Sequence, residues 1–107
     1  MRVALAVCCL LGNVPVAAQD DAALLARGRL LFTQGTAPSC ALCHTLKDAG
    51  THGAIGPVLD ELQPDASRVA SALRSGIGAM PSYRATLDDA QIAALARYVA
   101  KASGAAP

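Results

Sequence analysis

The run Cys40-Ala41-Leu42-Cys43-His44 constrains this chain more than any other feature. Two thiols three positions apart, followed at once by an imidazole, form an attachment site for a c-type haem. Each cysteine can add across one porphyrin vinyl group to give a thioether. About one helical turn matches the spacing of the two vinyls, and His44 then reaches the iron from the same side. Two other uses of the thiols compete. Zinc takes four ligands, and with no cysteine after Cys43 the set would be Cys40, Cys43, His44 and His52, crowded into thirteen residues. A thioredoxin-like redox pair needs a βαβ setting, and no strand pattern flanks Cys40.

A haem site of this kind bears on how the chain begins. Met1-Arg2 is a short positive start, the stretch from Val3 to Val16 is largely apolar, and Val16-Ala17-Ala18 puts small residues at the −3 and −1 positions. This pattern predicts a secretory signal peptide over residues 1–18, cleaved before Gln19, and export across the inner membrane of a bacterium into the periplasm. The apolar run is too short for a stable membrane span. A lipoprotein cysteine at Cys8 or Cys9, or a buried helix of the mature domain, are the rival uses. Cleavage would leave residues 19–107 as one domain whose two cysteines both belong to the haem motif. It also removes Arg2, leaving eight basic against eight acidic side chains. No basic run suggests a nucleic-acid-binding surface, and no second hydrophobic span suggests membrane insertion. A domain this small, with Phe32, Tyr83 and Tyr98 as its aromatics, buries little by itself. A bound porphyrin adds a large apolar plate for helices to pack on.

Along the mature chain the apolar periodicity is helical. Asp20-Asp21 are expected to cap a first helix whose Leu24, Leu25, Gly28, Leu31 and Phe32 share one side, with Gly35 ending it. Gly28 costs about 1 kcal/mol against alanine inside a helix, so a close helix crossing is expected there. Residues 45–56, with Gly50, Gly53 and Gly56, read as a loop, and Pro57 stiffens the chain beside His44. A second helix is expected from Pro64-Asp65 through Ser75, with Gly76 as its C-terminal cap. In the last helix Asp88 and Gln91 form a capping box, and Ile92, Leu95, Ala96 and Val99 recur at i, i+3, i+4 and i+7. No strand is expected, and the fold class is all-α.

A haem iron held by one histidine takes a second axial ligand. Met80, the one methionine of the mature chain, follows His44 by 36 residues in a loop with Gly76 and Gly78. Those glycines let the backbone approach a porphyrin, and a thioether favours ferrous iron and raises the reduction potential. Met80 could instead fill a gap in the core. In order and spacing, Cys40 to His44, Gly56-Pro57-Val58-Leu59 and Gly78-Ala79-Met80-Pro81 resemble a small bacterial class I cytochrome c. The resemblance implies about four short helices wrapped around one covalent haem, with crossing terminal helices that use Gly28, Phe32 and Tyr98. It implies His44 and Met80 as axial ligands, and the Pro57 carbonyl bound to the other ring nitrogen of His44. The run Gly76 to Pro81 is similar to haem subunits and acceptors of periplasmic sulfite dehydrogenases.

With both axial positions filled by protein, the chemistry left is the movement of one electron. A soluble carrier is the first expectation, a haem-bearing subunit of a periplasmic oxidoreductase the second, and a small haem enzyme or gas sensor, requiring Met80 to leave, the third. The resemblance implies redox partner proteins, a periplasmic dehydrogenase as donor and an oxidase or another cytochrome as acceptor, and a monomer or a subunit of a small complex. Pro57, Leu59, Ile77 and Ala79 are expected against the haem. Ala41, Ile77 and Ala79 are expected around its exposed edge.

Overall fold

The computed structural model describes residues 16–107, with side chains from Asp20 onward, together with Val3, Ala4, Ala6 and Gly12. The expected leader therefore lies largely outside the described residues, Cys8 and Cys9 included. Among the described residues five helices follow in order: α1 (Val16–Gln34), α2 (Cys40–Cys43), α3 (Leu59–Leu62), α4 (Ala66–Ser75) and α5 (Asp89–Ala102). A two-residue antiparallel pair, β1 (Thr45–Leu46) with β2 (Thr51–His52), sits between α2 and α3. The one-turn α3 and this small hairpin are additions to the expected all-α plan. Neither is long enough to show a period in sequence. Gly50, at φ +67°, makes the hairpin turn possible.

The longer helices follow local signals. The Asp65 carboxylate accepts from Arg68 N at 2.8 Å and starts α4. Gly76, at φ +69°, ends it with its N–H on the Ala72 carbonyl. The capping box of α5 is complete, Gln91 N donating to Asp88 Oδ1 at 2.8 Å and Asp88 N to Gln91 Oε1 at 2.9 Å. The N-terminal end of α1 departs from expectation. It begins at Val16, so Asp20 and Asp21 lie inside it rather than at its cap. Nothing in Val16-Ala17-Ala18-Gln19 breaks a helix. Asp21 instead pairs with Arg97 of α5 at 3.3 Å.

The terminal helices cross, and α4 packs on the other side of α5. At the crossing a Cβ on Gly28 would run into the Ala94 carbonyl oxygen and Tyr98 Cβ. Removing the side chain there lets two backbones meet. One turn further on, the rings of Phe32 and Tyr98 meet edge to face with centroids 6.1 Å apart. Phe32, Leu46, Ile92 and Leu95 are the largest fully buried side chains. Leu95, at 1% exposure, faces both the core and the cavity described below. Leu95→Ala is expected to lower stability by about 2–5 kcal/mol, read as a drop in the urea midpoint of the holoprotein; an unchanged midpoint would place Leu95 outside the cooperative core.

Tyr98 also reaches out of the crossing. Its hydroxyl donates to Asp48 Oδ2 at 2.6 Å, and Arg29 of α1 stands 4.0 Å from the same carboxylate oxygen. Burial first, and then the bond to Asp48, push the Tyr98 phenol far above its ordinary pKa. It stays a donor, and the hairpin turn is tied to both terminal helices.

Candidate haem site

A cavity of about 700 Å³ opens between α2, α3, α4, the Met80 loop and the inner face of α5. Its size falls in the range of cofactor pockets. Cys40, Cys43, His44, Pro57, Leu59, Ile77, Ala79 and Met80 all line it. Residues separated by as much as forty positions in sequence are thus brought to one cavity. Ala41 lies on α2 but not on the lining.

Each wall is built from local structure. On the first, Ser39 caps the single turn of α2, its Oγ accepting from Ala41 N, and this turn places Cys40 and Cys43 on the cavity side. Burial pushes the Cys40 thiol above its ordinary pKa, with a hydrogen bond to Thr36 partly offsetting it. Among the described residues no three or more His, Cys, Asp or Glu side chains are placed to share a metal, and His52 is exposed on β2. Cys40, Cys43, His44 and His52 are therefore not gathered around one position in this structure.

His44 is held from several sides. Its Nδ1 lies 2.7 Å from the Pro57 carbonyl. A carbonyl only accepts, so Nδ1 carries a proton, and in the neutral ring Nε2 is the nitrogen left to bind a metal. Two glycines that read as mere loop residues make this possible. A Cβ on Gly56 would sit 2.6 Å from His44 Cε1, and a Cβ on Gly53 would sit 2.5 Å from His44 N and from the Cys43 carbonyl carbon. Gly56 N also donates to the Cys43 carbonyl at 2.6 Å. Thr51 completes the support: its buried hydroxyl donates to the His44 carbonyl at 2.8 Å and accepts from Leu46 N at 3.0 Å. Gly53, Gly56 and Thr51 had a signal in the sequence only as a glycine-rich loop of that length.

The loop after α4 brings Met80 to the same cavity. Ile77 and Met80 pair their backbones at 3.0 and 2.9 Å, so residues 77–80 form a tight turn around Gly78 at φ +54°. Met80 packs partly buried against the core, while Ile77 and Ala79 are exposed at the mouth. Leu59 is buried at the back. Arg68 is the one Lys or Arg on the lining, so the walls are close to neutral. Such a space suits a flat apolar group held from its two faces.

Helices closed around a haem-sized apolar cavity, lined by two cysteines, a histidine and a methionine, define a c-type cytochrome. The comparisons with known proteins agree. Residues 23–99 match the family described as cytochrome c oxidase, cbb3-type, subunit III. The chain is 32% identical over 78 residues to cytochrome c-551 of Halorhodospira halochloris, covering 67% of this chain and 92% of that one. It is 49% identical to the c-type cytochrome SorU of Sinorhizobium meliloti, whose crystal structure superposes with a TM-score of 0.75 over 78% of this chain and 94% of that one. The chain belongs to the cytochrome c family, as a small class I member with the all-α fold of that class. It is an electron carrier with a covalently bound c-type haem.

Proposed function

We propose that Cys40 and Cys43 carry the two thioether links, that His44 and Met80 are the axial ligands, and that the protein works as a periplasmic one-electron carrier after cleavage before Gln19. What carries this reading is the state of His44. Its Nδ1–H is committed to the Pro57 carbonyl, which orients the ring and leaves Nε2 for iron. Met80 lines the same cavity, which supports it as the second ligand. The bound haem supplies the exchange of one electron between ferrous and ferric iron. The chain's part would be to hold the haem iron through His44 and Met80 and to exclude water with Leu59, Leu95 and Val99. With both axial places taken by side chains, the protein is not itself an enzyme.

Among the described residues no helix is long and apolar enough to cross a membrane. Redox partners would meet the mouth of the cavity, where Ile55 and Ile77 are 70% and 68% exposed. The same apolar mouth suits a fixed place in an oxidoreductase, and the run Gly76 to Pro81 makes a sulfite dehydrogenase the alternative setting. Gel filtration of the native periplasmic fraction separates carrier from subunit. Intact-mass measurement tests the processing and the attachment: residues 19–107 plus one haem that survives acid–acetone extraction. Haem lost to the organic phase would overturn the thioether assignment, and a retained leader would overturn the cleavage site.

A further inference from the structure

Met80 and the Cys40–His44 segment stand on different walls, and what sets the distance between those walls is not obvious from the cavity alone. The segment carrying Met80 is anchored firmly to α4. Gly76 N donates to the Ala72 carbonyl at 2.8 Å, Tyr83 N to the Leu73 carbonyl at 2.7 Å, and Ser82 Oγ to the Arg74 carbonyl at 2.6 Å. Toward the haem-attachment segment, one hydrogen bond among the described residues makes the crossing. The Tyr83 hydroxyl, three residues after Met80, donates at 2.7 Å to the carbonyl of Pro38, two residues before Cys40.

Tyr83 is 5% exposed and its ring forms part of the cavity wall. A phenylalanine would fill that wall equally well, so packing does not account for the hydroxyl. A phenol is protonated and able to donate at neutral pH, and burial raises its pKa further. The Pro38 carbonyl also accepts from Thr36 Oγ at 3.1 Å. Loss of the tyrosine hydroxyl therefore leaves no orphaned acceptor; what is lost is the tie between the walls.

We propose that Tyr83 is a positioning residue for Met80: its hydroxyl, bonded to the Pro38 carbonyl, fixes the spacing between the Met80 and Cys40 segments and so holds the methionine sulfur on the iron. The proposal rests on Met80 being the axial ligand. A tie of this kind does not change the fold. It changes how readily Met80 yields its place to a competing ligand.

Tyr98→Phe is the matched control. It also removes one tyrosine hydroxyl from a short bond, at 2.6 Å to Asp48, but at the helix crossing and off the cavity lining. The experiment is an imidazole titration of the ferric holoproteins, with the methionine-to-iron charge-transfer absorption followed in parallel. Tyr83→Phe is expected to bind imidazole about five- to tenfold more tightly than wild type, the equivalent of one net hydrogen bond, with a weaker charge-transfer band. Tyr98→Phe is expected to shift imidazole affinity by less than about twofold while lowering the urea midpoint. Equal affinity in Tyr83→Phe and wild type would overturn the proposal, and so would an equal gain in both variants, which would mark a general loss of stability. Met80→Ala, titrated alongside, separates the two claims. If it gains imidazole affinity and Tyr83→Phe does not, the positioning role alone fails. If it gains none, Met80 is not the displaced ligand and both fail.

Discussion

Met80→Ala is expected to turn an electron carrier into a ligand-binding haem protein. The thioether is a soft donor that favours ferrous iron. Its removal should lower the reduction potential by on the order of 0.1–0.3 V, a part of the roughly 0.8 V that axial ligands span. The opened position should bind CO in the ferrous state, where the wild type should not. The fold should survive, because Met80 is only partly buried and its turn is closed by the backbone bonds between Ile77 and Met80. Potentiometry and a ferrous–CO difference spectrum read both effects. His52→Ala is the comparison: His52 is exposed on β2 and does not line the cavity, so its spectrum should match wild type. A changed spectrum in His52→Ala with an unchanged one in Met80→Ala would transfer the sixth position to the histidine.

Gly28→Val should do to the fold what Met80→Ala does to the iron. Overpacking a core position costs about 1–3 kcal/mol, and more where nothing can move aside. At Gly28 the obstacles are the Ala94 carbonyl and Tyr98 Cβ, which are backbone and the root of a side chain rather than a flexible end. The effect is expected at about 3 kcal/mol or above, a large share of the roughly 5–15 kcal/mol that holds a domain together. Gly28→Ala is the sharper test of cause. Alanine gains about 1 kcal/mol of helix propensity over glycine, so a site with room would become more stable. A Cβ already collides here, and the net change is expected to be destabilising. Urea midpoints of the ferric holoproteins decide it; a higher midpoint for Gly28→Ala would mean that α1 and α5 do not make their close approach at this residue.

Elements whose signals lie within a turn or two were legible in the chain. Asp65 and Gly76 bound α4, and Asp88 with Gln91 open α5, because capping is settled by neighbours three or four residues apart. The buried face of α5 follows from its period, and the close crossing at Gly28 from an otherwise costly glycine. The start of α1 was misplaced because Asp20 and Asp21 are as acceptable inside a helix as at its cap, and the residue that engages Asp21, Arg97, is 76 positions away.

The sequence alone determined the helical class, the haem-bearing motif and the residues with the chemistry to serve it, since thiols, an imidazole and a thioether at given spacings carry their reactivity wherever they are placed. Only the tertiary structure decided what holds those groups in position. Gly53 and Gly56 press against His44, Thr51 bonds its carbonyl, and Tyr83 reaches Pro38 across 45 residues. Tyr98 reaches Asp48 across 50. Hydroxyls and hydrogens of this kind have no periodicity and no motif. Their partners are chosen by which segments the closed helices bring within 3 Å, and a linear chain does not contain that distance.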